Sequence, residues 1–379
     1  MTSVLSSNII ISDNKISEEK MAEYNSLLQK MAETTDTDYW NDSCAISELK
    51  YAIPNGAVGA TTNPVIVLNV LKKEYDLWED RILEIIKDNP KFDEDEVSWQ
   101  LIEEMAIKGA SLLYPVFERE GGLKGRISIQ TNAKFYRNAK KMSDQAVRFN
   151  KLAPNIQVKI PATAAGIEAI EEATYQGVSI NATVCFTVPQ AVAVGEAVDR
   201  ALKKREKEGK DISKMSPVCT LMVGRLDDWL KIVADKEGVV IDPSYLDRAG
   251  VAAMKKAVKI YHERGYKTRM LAAAYRNQLH WSELIGENII HTIPYKWQLR
   301  YNSSDVEIKN TTVVEENPAM IEELSRKFDD FKKAYDPYGI KIEDFDTYGA
   351  TARTLRGFIG GYTQLVDIIR DLMIPNPEV

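Results

Sequence analysis

Apolar residues recur along this chain in two alternating rhythms. Short apolar segments give way to longer stretches in which apolar residues return every three or four positions. Eight short runs stand out: Asp38 to Asp42, Ala57 to Thr62, Arg126 to Thr131, Ile156 to Ile160, Ser179 to Phe186, Pro217 to Val223, Thr268 to Ala273 and Ile289 to Ile293. Runs of this kind read as strands covered on both faces, and the longer rhythm as the helices that cover them. Three helical patterns are clearest. Ser17 to Glu33 carries Met21, Tyr24, Leu28 and Met31; Glu94 to Phe117 carries Val97, Leu101 and Met105; a third runs through Ile167, Ile170 and Ala173 and stops near Gly177.

Repeated strand–helix units imply parallel pairing with right-handed crossovers. Eight of them predict a closed (β/α)8 TIM barrel rather than an open doubly wound sheet. An open sheet would call for a nucleotide-type glycine loop after its first strand, and neither G-x-G-x-x-G nor a P-loop is present. Beyond Trp297 the strand rhythm ends. Ile321, Leu324, Phe328, Phe331 and Tyr335 form one helical stripe, and Leu355, Phe358, Tyr362, Leu365 and Ile369 another, with the turn Asp336-Pro337-Tyr338-Gly339 between them. Such stripes are ordinary packing faces. Gly357, Gly360 and Gly361 either weaken the last helix or allow a close backbone approach. The predicted organisation is an N-terminal helical extension at 1–36, a catalytic barrel at 37–297, and a C-terminal helical extension at 298–379. That extension is expected to pack on the barrel or on a neighbouring subunit.

Charge and composition narrow the classes. The 379 residues suffice for a large core, and a net charge of −7 gives no electrostatic footprint for nucleic acid or an anionic membrane. No apolar stretch approaches the length of a membrane span, and Met1 to Lys15 lacks the basic start and apolar centre of a signal peptide. Cys44, Cys185 and Cys219 have no paired spacing, so reduced thiols in a cytoplasmic protein are expected. His262, His280 and His291 are too scattered for a metal-ligand motif and read as packing or surface residues. Neither a metal nor a cofactor is expected.

The candidate chemistry begins with Lys159, which interrupts the apolar run Gln157-Val158-Lys159-Ile160-Pro161-Ala162-Thr163. A lysine there must reach solvent or sit in a polar cavity, because burying an unpaired ammonium is costly. A cavity that desolvates the amine lowers its pKa and leaves it able to attack a carbonyl. Barrels carry their working residues at the C-terminal ends of the strands. Those ends read Asp42, Asn63, Gln130, Lys159, Asn181 with Thr183, Arg225 and Arg276. Each has a plain alternative: Asp42 as a helix cap, Asn63 serving the turn before Pro64, Arg225 paired with Asp227 or Asp228. A metal hydrolase would need a histidine and carboxylate cluster, and a serine or cysteine hydrolase a histidine base; the strand ends offer neither.

Five segments in order carry a resemblance. They are Gly59-Ala60-Thr61-Thr62-Asn63-Pro64, Val158-Lys159-Ile160-Pro161-Ala162-Thr163, Ile180-Asn181-Ala182-Thr183, Val223-Gly224-Arg225 and, more weakly, Ala273-Ala274-Tyr275-Arg276-Asn277. The chain resembles the transaldolase and fructose-6-phosphate aldolase family, lysine Schiff-base enzymes on a (β/α)8 barrel. The resemblance spans most of Asp38 to Tyr295 and covers the tail poorly. It implies that Lys159 attacks a ketose carbonyl and that Asp42 moves the proton of the hydroxyl at the bond being broken. Asn63 and Asn181 would hold substrate hydroxyls or the carbinolamine, Thr183 would orient a water, and Arg225 with Arg276 would grip a terminal phosphate.

Three positions depart from the family pattern. Gln130 stands where transaldolases carry glutamate and the aldolase branch glutamine. Met222 stands where the two branches carry phenylalanine and tyrosine. Ala274 replaces the serine of the anion site, which opens the end group to a sulfonate as well as a phosphate. The implied activity is transfer of a dihydroxyacetone unit from an anionic ketose to an aldehyde acceptor. The alternative is a lyase that releases free dihydroxyacetone, and a further one is a non-catalytic sugar-binding barrel. Against the last stands the presence of Asp42, Lys159 and Thr183 together, because binding alone has no need for a buried lysine. The expected partner is a small anionic sugar, with no nucleic acid and no membrane, and a homo-oligomer is expected.

Overall fold

In the computed structural model, which describes residues 24–378, eight parallel strands close into a barrel in sequence order. They are β1 (Asp38–Asn41), β2 (Ala57–Thr61), β3 (Arg126–Gln130), β4 (Ile156–Pro161), β5 (Ile180–Cys185), β6 (Val218–Leu221), β7 (Arg269–Ala272) and β8 (Ile290–Ile293). Closure comes from β1 pairing with β8, Asp38 opposite Ile290. All eight coincide with the short apolar runs of the sequence. Every residue of β3, β4 and β5 is buried, as strands must be when side chains fill the barrel inside and helices cover it outside.

The helices follow the longer rhythm. Glu94–Arg119 begins with a capping box in which Asp93 and Glu96 each accept the other's backbone N–H. Ala164–Tyr175 starts on the Thr163 hydroxyl and ends just before Gly177. The N-terminal helix, predicted from Ser17, falls partly outside the described residues. Within them it runs Leu27–Thr34, capped by Ser26, with Leu27, Leu28 and Met31 buried. The helix Tyr295–Asn302 follows β8 and runs through the position where the strand rhythm ends.

The stripe from Ile321 to Tyr335 is two helices, not one: Pro318–Lys327 and Asp329–Tyr335 meet at an extended Phe328. Asp329 and Asp330 open the second, where the positive end of the helix dipole favours acidic side chains. The last stripe forms one helix, Gly349–Met373, packed against the helices Pro64–Lys73 and Glu94–Arg119. A Cβ on Gly361 would stand 2.8 Å from Val65 Cγ2, so this glycine permits the close approach of the last helix to the start of the helix after β2. That contact brings the chain's end to the C-terminal mouth of the barrel. Among the described residues no helix is long and apolar enough to cross a membrane.

Candidate active site

Strand register assembles the first part of the site. Gln130 lies opposite Lys159, and Lys159 opposite Asn181, so three inward-facing side chains stand side by side on β3, β4 and β5. Lys159 is 4% exposed, and its ammonium donates to the backbone carbonyl of Thr62 at 3.0 Å. Burial lowers its pKa to about 8; the Asp42 carboxylate opposes that shift and the Arg225 guanidinium adds to it. The amine is thus buried against a polar backbone group and does not reach solvent.

Asp42 follows β1 directly. Its Oδ1 accepts from the Thr61 hydroxyl at 2.7 Å, and Thr61 lies 2.6 Å from the hydroxyl of Thr292 on β8. Burial raises the Asp42 pKa, while Lys159, the Thr61 hydrogen bond and Arg225 pull it down. A carboxyl and an amine that feel each other in a dry site, each pushed toward its neutral form, can exchange a proton with a bound hydroxyl. Asp42 caps no helix: the first helix after it starts at Ile46, behind Ala45.

The amides have mixed duties. Asn63 Oδ1 caps the helix Pro64–Lys73, accepting from Val65 N and Ile66 N, which leaves its NH2 for other partners. Asn181 donates to Ser128 Oγ at 3.0 Å and accepts from Thr220 Oγ1 at 2.6 Å, keeping one amide proton uncommitted. Gln130 differs, because neither end of its buried amide meets a protein partner. It lines a small cavity with Thr62, Asn63, Asn132 and Tyr362. A buried amide with both ends unsatisfied is costly unless something else bonds it.

Thr183 is presented by a strained irregularity within β5. The register of β5 slips between Ala182 and Cys185, and Val184 takes φ 51°, a left-handed conformation hostile to a β-branched side chain. Met222, buried beyond β6, packs in one apolar cluster with Val184 and Phe186.

Arg225 sits in the first turn of the helix Val223–Glu237, which has no side-chain cap and no acidic residue in that turn. It pairs with neither aspartate that the sequence offered. Asp228 instead binds Arg276, with Arg276 Nε 2.9 Å from Oδ2, and Asp227 binds His280 Nε2 at 2.7 Å. Arg225 donates to Thr354 Oγ1 at 3.2 Å, lies over the Phe358 ring, and keeps a buried Nε without partner. Burial, with Arg276 second, lowers its pKa to about 10.

Sequence reasoning missed two features. His280 packs in the interior, one of the two expectations for it, but no sequence pattern shows that its Nδ1 accepts from the backbone N–H of Arg276 at 3.0 Å. With Asp227 it anchors the loop that carries Arg276. Phe358, one residue of the last packing stripe, and Thr354, which no sequence pattern singles out, reach Arg225 from more than a hundred residues away. The loop after β7 also needs Gly224, since a Cβ there would meet Ala274 O at 2.1 Å and Arg276 Cγ at 2.8 Å. Among the described residues no group of three or more His, Cys, Asp or Glu gathers as metal ligands would.

Lys159 thus feels the charges of Asp42 and Arg225, and Arg225 that of Arg276. The model of the Transaldolase/Fructose-6-phosphate aldolase family matches residues 39–343. The chain belongs to that family. Among its relatives are transaldolases from Mycobacterium ulcerans and Thiobacillus denitrificans, each 28% identical, over 262 and 270 residues. The first match covers 63% of this chain and 69% of the relative, the second 65% and 74%. A protein named Transaldolase 2 from Streptomyces avermitilis is 27% identical over 279 residues, 68% of this chain and 74% of its own length. Family and relatives together support an enzyme of the transaldolase type. The family match begins one residue inside β1, takes in the other seven strands and stops before the helix that carries Thr354.

Proposed function

We propose that this chain transfers a dihydroxyacetone unit from an anionic ketose to an aldehyde acceptor through a Schiff base on Lys159. The observation that carries the reading is the desolvated Lys159, with a pKa lowered to about 8 and the Asp42 charge acting on it. The neutral amine attacks the ketose carbonyl, and the carbinolamine loses water to give an iminium. The hydroxyl proton on the carbon beyond the scissile bond passes to Asp42. The carbon–carbon bond then breaks, an aldehyde leaves, and the electron pair moves into the iminium to form an enamine. The acceptor aldehyde reverses these steps. Thr183 orients the water lost and regained, Asn63 and Asn181 bond the hydroxyls or the carbinolamine, and Arg225 with Arg276 hold the phosphate or sulfonate end. The positive end of an uncapped helix adds to that anion site.

Gln130 supports a second reading, a lyase releasing free dihydroxyacetone. Its unpartnered amide beside Lys159 can orient a water to protonate the enamine, although it has no acidic proton of its own.

The test is borohydride trapping with a panel of phosphorylated and sulfonated ketoses, read by intact mass and peptide mapping. The adduct is expected on Lys159, and Lys159→Met should abolish both adduct and turnover. Turnover by the Met variant, or an adduct on another lysine, overturns the reading.

A further inference from the structure

We infer that the last helix completes the anion site, with Thr354 contributing a hydroxyl donor in place of the side chain that Ala274 lacks and Arg353 a third guanidinium. This rests on the reading that Arg225 and Arg276 hold the charged end of the substrate. Three independent pieces of geometry carry it. Thr354 Oγ1 accepts from Arg225 Nη1 at 3.2 Å, and among the described residues no acceptor takes that hydroxyl's own proton. The proton therefore remains available to an anion lying against Arg225. Arg353 Nη1 stands 4.0 Å from Asp228 Oδ2, the same oxygen that Arg276 Nη2 approaches to 2.9 Å. One carboxylate thus spaces two guanidinium groups beside a third, Arg225, which has no carboxylate partner among the described residues and whose Nε is unsatisfied.

Charge makes the arrangement informative. Like charges gathered at one rim repel, and the one carboxylate that Arg353 approaches, Asp228, is already bonded to Arg276 at shorter range. Three guanidinium groups and one carboxylate leave a local positive surplus on a chain whose net charge is −7. The side chain of Arg353 is 51% exposed, so it can swing toward a ligand, whereas Thr354 is buried and fixed. A hydroxyl from the last helix therefore stands against Arg225, on an anion site whose own loop offers none at Ala274.

Calorimetric titration of the full chain with inorganic phosphate tests this. Thr354→Val should weaken phosphate binding roughly tenfold or more, the loss of one hydrogen bond to a charged group. Thr354→Ser, which keeps the hydroxyl, should stay within about twofold of the parent. Arg353→Gln, at a half-exposed site, should weaken binding by about fivefold, the upper range for an exposed charge. If Arg225→Ala loses phosphate while Thr354→Val and Arg353→Gln bind it as the parent does, this inference fails and the reading beneath it stands. If Arg225→Ala binds phosphate unchanged, both fail. Should Thr354→Val not fold, the Arg353→Gln result decides alone.

Discussion

Lys159 and Thr62 are joined by one hydrogen bond, 3.0 Å from ammonium to backbone carbonyl, and among the described residues no carboxylate is paired with that ammonium. A carbonyl supports the ammonium without stabilising it as an ion pair would. Burial therefore prevails and the pKa falls to about 8.

The rate should follow this pKa. The free amine is the nucleophile, and about a tenth of it is present at pH 7 for a group titrating near 8. The rate of trapping with a saturating ketose and borohydride is expected to rise steeply from about pH 6, then level off above about pH 8. A profile flat across that range would show that formation of the Schiff base does not wait on Lys159.

The same shift is a statement about stability. The unfolded chain holds the lysine proton up to about pH 10.5, the folded chain only up to about pH 8, so the unfolded state binds more protons between them. Stability contributed at this site thus rises with pH through that window, and below pH 8 the buried ammonium costs about 3 kcal/mol. Lys159→Met should be more stable than the parent near pH 7, with the gap closing toward pH 10.5. Denaturant unfolding of both proteins at a series of pH values measures the gap, and a pH-independent difference would contradict the assignment.

Gly224 and Arg276 are coupled through space. Gly224→Ala forces a methyl group against Ala274 O, Arg276 Cγ and His280 Cε1, all within 2.9 Å of the new atom. Overpacking of this kind costs about 1–3 kcal/mol. The variant should melt lower and show a raised KM for a charged ketose, with a smaller change for its neutral analogue. Equal changes for both would mean that the loop does not serve the charge.

Transfer and release differ in who protonates the enamine. Gln130 carries no acidic proton, and Met222, 6% exposed among apolar neighbours, has no hydroxyl to polarise a water. Dihydroxyacetone should form slowly from ketose alone, with turnover much faster once an aldehyde acceptor is supplied, and Met222→Tyr should raise the release. Assaying free dihydroxyacetone with and without acceptor decides it. Equal rates would establish the lyase.

The barrel was legible because its strands are covered on both faces. Short segments in which Ile127 and Ile129, or Val158 and Ile160, face the covering helices are buried on both sides, and a lysine between two such residues is conspicuous by cost alone. Asp42, Gln130, Lys159 and Thr183 could be found at strand ends because parallel closure sends every such end to one rim. What the sequence could not determine was the partner of each charged group. Asp227 and Asp228 are adjacent in the chain, yet the helix turns them toward different neighbours, His280 and Arg276, and leaves Arg225 to Thr354. Nor could it separate the helices meeting at Phe328, since a stripe of period near 3.6 survives a one-residue break. The reach of Thr354 to the rim depends on where a whole helix docks, which Gly361 against Val65 permits and no local pattern encodes. Periodicity reports which face is buried, and only the packed structure decides against what.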